Sequence, residues 1–183
     1  MKPIETLKKE HRLIEKVLAS LDKYTEAIWR GDKVEQGDLR IFVQFIREFA
    51  DHCHHGKEEE ILFSTMVENG FPGEQGPIAV MLAEHEEGRR LVGMLLEKSE
   101  KTEPWSEEDR RVIRESAMEY IRLLSHHIMK EDNILYPMAQ SRLAPEVLEK
   151  IGDRFDKFEL EEMGSGQHEK FHALADQLIS RYE

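Results

Sequence analysis

Apolar residues recur along this chain at alternating spacings of three and four, and the stripes they trace predict long helices. In the first segment Ile4, Leu7, His11, Ile14, Leu18, Leu21, Thr25 and Ile28 share one face, the pattern of a bundle helix. A turn signal at Gly31-Asp32 follows. A second helix is predicted from about Glu35 to Val67, with Val43, Ile46, Ala50, His54, Glu58 and Ile61 inward, ended by Asn69-Gly70 and the Phe71-Pro72-Gly73 breaker. The third, from about Gly76 to Lys101, has Pro77 suited to its first turn and carries Ile78, Leu82, His85, Val92 and Leu95 or Leu96. The fourth, from about Ser106 to Gln140, has Ser106 as an N-cap candidate with Asp109 three residues on. Its inward positions are Ile113, Ala117, Tyr120, Leu124, His127, Glu131, Ile134 and Met138, and Pro137 is expected to kink or end it. Two shorter helices, about Ala144 to Glu162 and about Gly166 to Tyr182, meet at Gly164-Ser165-Gly166. Nothing reads as strand. The expectation is an all-α, up-and-down antiparallel four-helix bundle with additional C-terminal helices. It forms one domain over the whole chain, with the bundle core at about 3–140 and the extension at about 144–183.

Polar residues on these apolar stripes carry the chemistry. His54-His55-Gly56-Lys57-Glu58 precedes Glu59-Glu60-Ile61-Leu62-Phe63, and His127-Ile128-Met129-Lys130-Glu131 precedes Asp132-Asn133-Ile134-Leu135-Tyr136. Each copy sets a His and a Glu four residues apart, on one helix face. The stripe decides between neighbouring histidines. One and two turns from His54/Glu58 lie Ala50, Ile46 and Ile61, whereas His55/Glu59 follows Asp51 and Glu48; His126 has Lys130 four residues on, where His127 has Glu131. His52 and His55 are therefore expected to face outward or to orient other groups. His11 and His85 complete a set on the two remaining helices. Burying two carboxylates beside four imidazoles without a cation costs on the order of several kcal/mol per uncompensated charge, so His11, His54, Glu58, His85, His127 and Glu131 are predicted metal ligands. Six nitrogen and oxygen donors exceed one tetrahedral zinc and suit a pair of first-row metals, iron or manganese. Glu58 and Glu131 would bridge, with His11 and His54 on one ion and His85 and His127 on the other. Positions left open would admit dioxygen, peroxide or nitric oxide.

Composition narrows the setting. The chain has 183 residues, a formal net charge of −12 and a single cysteine, Cys53. One cysteine makes no intramolecular disulfide, no apolar run approaches the roughly 20 residues that span a bilayer, and the N-terminus lacks a signal-peptide stretch. A cytoplasmic protein is expected. The acidic balance, with no basic patch, argues against nucleic acid and membrane as partners. Cys53 is expected as a small buried hydrophobe, with a redox target as the alternative. Lys57 and Lys130 are expected to balance surrounding acid, Tyr120 to fill core or place its hydroxyl near the centre, and Trp29 and Trp105 to pack near helix ends.

The chain resembles the hemerythrin-like, or HHE cation-binding, family. The residues that carry the likeness are His11 in Lys9-Glu10-His11, the run Cys53 to Glu59, Ala83-Glu84-His85-Glu86-Glu87-Gly88-Arg89, and His127 through Pro137. The resemblance implies a four-helix bundle holding two oxo- or hydroxo-bridged iron ions, with zinc or manganese as substitutes. Oxygen-carrying hemerythrins have a second histidine one turn after the third-helix ligand, where Arg89 stands here. They also have an Asp five residues after the last His, where this chain has Glu131 at four and Asp132 at five. The metal beside His85 is thus expected to be more open, more exchangeable, or completed from elsewhere. His168 and His172 are candidates for that completion, although a surface pair on a helix covering the bundle through Phe171, Leu174 and Leu178 is the favoured reading. Glu159, Glu162 and Glu84 are weaker candidates for the same role, with solvated carboxylates as the favoured reading. The function expected is binding, sensing or scavenging of a small oxidant ligand such as dioxygen or nitric oxide. The alternatives are a di-iron oxidoreductase or an iron-handling, iron–sulfur repair protein, and a bundle merely stapled by its metal.

Overall fold

A computed structural model of the chain describes residues 2–164 and 166–182, with backbone alone for Met163 and His168. Six helices account for most of it, and no strand occurs among the described residues. Helix α1 is Pro3–Arg30, α2 covers residues 38–68, α3 is Pro77–Ser99, α4 covers 107–142, α5 covers 145–163, and α6 is Gln167–Arg181. Their ends follow local chemistry. Proline stands in the first turn of α1, α3 and α5, where its missing N–H is not needed. Gly31, at φ 79°, closes α1 by bonding the carbonyls of Ala27 and Ile28. Ser106 and Asp109 form a reciprocal capping box at the start of α4.

Cross-helix pairs fix the topology. Asp22 meets Arg114 while Asp132 meets His11, so α1 and α4 run antiparallel. Arg40 reaches the Ser99 carbonyl and Arg89 reaches Asp51, which orients α2 against α3 in the same way. The first four helices form an up-and-down bundle. Helices α5 and α6 lie along α1 and α2, where Arg154 bonds Thr65 and Tyr182 bonds Asp38. The stripe of α1 is buried as expected, and Trp105 is buried with its indole N–H on the Lys98 carbonyl. Trp29 is a correction, since its ring is exposed at the end of α1 rather than packed.

Two helices depart from α geometry at the repeated motif. Helix α2 is π-helical over Ile46–His55 and Glu58–Phe63, and α4 over Glu131–Leu135. The buried positions Ile46, Ala50, His54 and Glu58 are spaced strictly by four. At about 3.6 residues per turn each such step drifts about 40°, or about 120° over three steps, and the last residue would leave the core. Wider turns hold all four inside, and such turns concentrate at functional sites. The same widening corrects the expected face of α4. Beyond Glu131 it is Leu135 and Ala139 that are buried, while Ile134 is exposed, and the helix runs on past Pro137 to Arg142.

The core divides into two apolar clusters. One gathers around Leu21, Phe42, Phe49 and Leu95, the other around Leu7, Leu62, Met66 and Tyr136. The charged stripe residues lie between them. Gly56, one residue after the adjacent histidines, is required by packing, because a Cβ there would stand 2.8 Å from Phe158 Cζ on α5. Gly56→Ala is expected to lower unfolding stability by about 1–3 kcal/mol through overpacking. Trimming the ring with Phe158→Leu in the same chain should recover part of that loss. Urea denaturation of the two proteins measures it, and equal stability of wild type and Gly56→Ala would refute the contact.

Candidate metal centre

The four bundle helices deliver their inward polar residues to one place at mid-height. His11 comes from α1, His54, His55 and Glu58 from α2, His85 from α3, and His127 and Glu131 from α4, and all seven are buried. They form two overlapping groups of potential donors, His11, His54, Glu58 and Glu131 in one and His55, Glu58, His85 and His127 in the other. Within each group the donor atoms lie within 4.8 Å of one another. Glu58 Oε2 stands 3.7 Å from His54 Nε2 and 3.5 Å from His85 Nε2. Glu131 stands 3.3 Å from His11 Nε2 and 3.1 Å from His127 Nε2. Each carboxylate therefore sits between one histidine of each group, the placement a bridging ligand needs.

Every one of the five imidazoles is held from behind by a carboxylate on Nδ1. His11 pairs with Asp132 at 2.9 Å, His54 with Glu10 at 2.8 Å, His55 with Asp51 at 3.3 Å, His85 with Glu59 at 2.7 Å, and His127 with Glu84 at 3.0 Å. An ionised carboxylate only accepts, so Nδ1–H donates and Nε2 is turned toward the centre, where His85 Nε2 and His127 Nε2 meet at 3.0 Å and a protonated His127 donates to His85. A cation backs each carboxylate in turn. Arg12 contacts Asp132, Lys57 contacts Glu10, and Lys130 contacts Glu84. Arg89 serves two of them, with Nε 2.9 Å from Asp51 and Nη2 2.7 Å from Glu59. Tyr136, fully buried, donates its hydroxyl to Glu58 Oε1 at 2.6 Å and lies 3.3 Å from His11 Nε2.

The donors interact strongly without a cation. Burial raises the Glu58 carboxyl well above its ordinary value, with Glu131 adding repulsion. Burial acts the same way on Glu131, but the positive His127 and the nearby His11 ring outweigh it and hold that carboxyl well below the usual range. Burial pulls His127 down, yet Glu131 and Glu84 push it up to about 9. His54 and His55 are held well below the usual histidine value by burial, reinforced by His11 and His85 respectively. Protons thus balance the centre where metal charge would otherwise do so. Four buried atoms still make no hydrogen bond, namely His54 Nε2, Glu58 Oε2 and both oxygens of Glu131. These orphaned lone pairs face one another, and the donor set fits bound cations.

The structure brings together all six residues expected as ligands and adds a seventh. His55 was expected to face outward or support other groups. It is instead buried, stacked on the His85 ring at a centroid distance of 3.9 Å and grouped with the donors. The π-helical widening of α2 turns it inward beside His54, which straight-helix arithmetic forbids. His55 sets a ring nitrogen beside His85, on the side where Arg89 stands in place of the histidine that the resemblance leads one to expect. His172 belongs to neither group; its ring is exposed and meets Phe49 edge-on, and the side chain of His168 lies outside the described residues. His52 and His126 are exposed, as expected. Glu84 and Glu159 are not simply solvated, because Glu84 orients His127 and Glu159 reaches Lys57 at 2.6 Å. Lys57 is itself fully buried behind Glu10 and already serves the remaining acidic grouping of Glu10, Cys53 and Glu159. Burial pushes the Cys53 thiol up to about 12, keeping it a small hydrophobe.

A carboxylate-rich helical centre of this kind defines a metal-binding bundle, and sequence comparison places it. The family model of the hemerythrin HHE cation-binding domain matches residues 2–139. The chain belongs to that family. It is also similar to uncharacterized proteins of Mycobacterium tuberculosis and Mycobacterium bovis, at 21% identity over 160 residues and 87% of this chain. It spans 62% of the length of those relatives. No helix is long and apolar enough to cross a membrane among the described residues.

His55→Ala is expected to weaken metal binding as much as His85→Ala does, and His52→Ala to leave it unchanged, by metal titration of chelator-treated protein. Wild-type affinity in His55→Ala would return that residue to a supporting role. In the metal-free protein His127, raised from 6.5 to about 9, contributes stability that is complete below 6.5 and lost as pH rises through about 9. The thermal midpoint of the metal-free chain should therefore fall across that interval. With metal bound the fall should disappear, because the cation has displaced the protons. A flat metal-free profile would contradict the proton balance.

Proposed function

We propose that this chain is a di-iron protein that binds a small diatomic ligand, dioxygen or nitric oxide. The observation that carries the reading is the pair of overlapping donor groups joined by Glu58, with Glu131 between His11 and His127 and unpartnered donor atoms on both carboxylates. Five imidazoles and two carboxylates, with no thiolate, suit a pair of first-row metals better than structural zinc. Bound iron would supply redox-active coordination positions for the small ligand. The His11 and His54 side has fewer nitrogen donors than the side of His55, His85 and His127, so it is the side with room.

Tyr136 is the chain's own contribution to ligand binding there. Its hydroxyl stands beside both His11 Nε2 and Glu58 Oε1, and burial together with Glu131 raises its pKa well above the ordinary tyrosine value. The hydroxyl stays protonated, and its single hydrogen bond can pass from Glu58 to a ligand on that side once a cation takes up the carboxylate. The apolar cluster around Leu7, Leu62 and Leu135 keeps water from the same face. Carboxylate anchoring of each imidazole fixes the donors before any ligand arrives, which lowers the reorganisation that binding requires.

Anaerobic loading with ferrous iron should give about two ions per chain. Dioxygen or nitric oxide should then produce a new absorption that reverses on removal of the gas, and Tyr136→Phe should keep its iron while releasing the ligand faster. Irreversible oxidation would favour turnover over binding. Uptake of zinc alone, with iron leaving the spectrum featureless, would favour a stapled bundle.

A further inference from the structure

A cavity of about 330 Å³ opens between α2, α3 and α4, and the imidazoles of His55, His85 and His127 form part of its wall. A diatomic gas needs far less space. A cavity of about 150 Å³ already holds benzene, and small-molecule sites begin at about 300 Å³. Apart from the histidines and a charged rim, the lining is apolar, supplied by Ile46, Val92, Leu96, Leu123 and Leu124. The rim carboxylates Asp51 and Glu84 are already paired with Arg89 and Lys130, and Arg47 is exposed to water. Among the described residues that line the cavity, no unpaired buried charge calls for a charged guest.

Two further observations point to an occupant. Helix α3 places Gly88 and Gly93 in its interior, and both line the cavity. Neither has a positive φ, and neither is forced by packing. A Cβ on Gly93 would meet nothing within 4 Å, and one on Gly88 would make only ordinary contact with Tyr120 at 3.5 Å. Glycine in a helix interior costs about 0.5–1 kcal/mol relative to alanine, so α3 gives up stability at two positions whose shared effect is open volume. The second observation is Tyr120, another lining residue. The residue is buried to 2% exposure, and its hydroxyl, bonded to no protein group among the described residues, is not among the buried unpartnered atoms, so it is reachable from open space. A tyrosine hydroxyl on an otherwise apolar wall normally finds a partner, and here only an occupant of the cavity can be one.

We infer that this cavity is a binding site for an uncharged, ring-sized organic molecule bearing one neutral oxygen, with its apolar body between Val92, Leu96 and Leu124 and its oxygen accepting from Tyr120. The site lies on the flank of the centre formed by His55, His85 and His127, away from Tyr136. It depends neither on the identity of the metal nor on the diatomic ligand.

Acetophenone is a suitable probe, since it has a ring and one carbonyl oxygen. Titrated into metal-loaded full-length protein, it should shift the methyl resonances of Val92, Leu96 and Leu124 saturably. Gly93→Leu fills the mouth with a better helix former and should weaken binding roughly tenfold or more while melting no lower than wild type. Tyr120→Phe should weaken it roughly fivefold or more, the loss expected of one buried hydrogen bond. Benzoate, of the same size but charged, should bind more weakly than acetophenone. The proposal is overturned by absence of saturable shifts in the wild type, by wild-type affinity in either variant, or by a preference for benzoate. Metal content and thermal midpoint measured on each variant separate loss of the site from loss of the fold.

Discussion

Two fully buried carboxylates whose centre-facing oxygens make no hydrogen bond set the terms for the rest of this molecule. Glu58 and Glu131 lie between two apolar clusters, where an uncompensated charge costs several kcal/mol even after relaxation. Without metal the centre is kept tolerable by protons. Glu58 takes one because its carboxyl is raised, and His127 keeps one while Glu131 stays ionised beside it. A pair of cations would do the same work with more charge and would satisfy the orphaned atoms as well. The folded chain is therefore prepared to exchange protons for metal.

Preparation extends outward in layers. Each imidazole rests on a carboxylate, and each carboxylate on an arginine or lysine, so that every supporting acid is matched by a base. The repeated motif encodes part of this directly. Lys57 and Lys130 each stand three residues after a candidate ligand and neutralise the carboxylate that holds that ligand, Glu10 for His54 and Glu84 for His127. Arg89 fits the same logic. A nitrogen donor is missing from α3, but its replacement anchors both Asp51 and Glu59, and through them His55 and His85. The matched family region ends at residue 139, yet α5 takes part, since Glu159 completes the network behind His54 and Phe158 packs on Gly56.

The helices and most of the donor set were legible in the sequence because both depend on one-dimensional spacing. His11, His54, His85 and His127 stand on apolar stripes, and burial follows the stripe. His55 was not legible by straight-helix arithmetic, because the π-helical turns that carry it inward are a response to packing in three dimensions. Their trace in the sequence is the strict four-residue recurrence of Ile46, Ala50, His54 and Glu58, and of His127, Glu131, Leu135 and Ala139. The supporting carboxylates also left a trace. Glu10, Glu59, Glu84 and Asp132 are each the immediate neighbour of a candidate ligand, and each serves a histidine on another helix. Such an acid looks solvated on its own helix. Only the adjacent helix shows what it holds.

Anomalous X-ray diffraction from crystals of the iron-loaded protein, measured at the iron edge, tests the central claim most directly. The account predicts two peaks bridged by Glu58 and Glu131, one beside His11 and His54, the other beside His55, His85 and His127. A single peak, or iron bound elsewhere with the seven donors still paired only to one another, would contradict it.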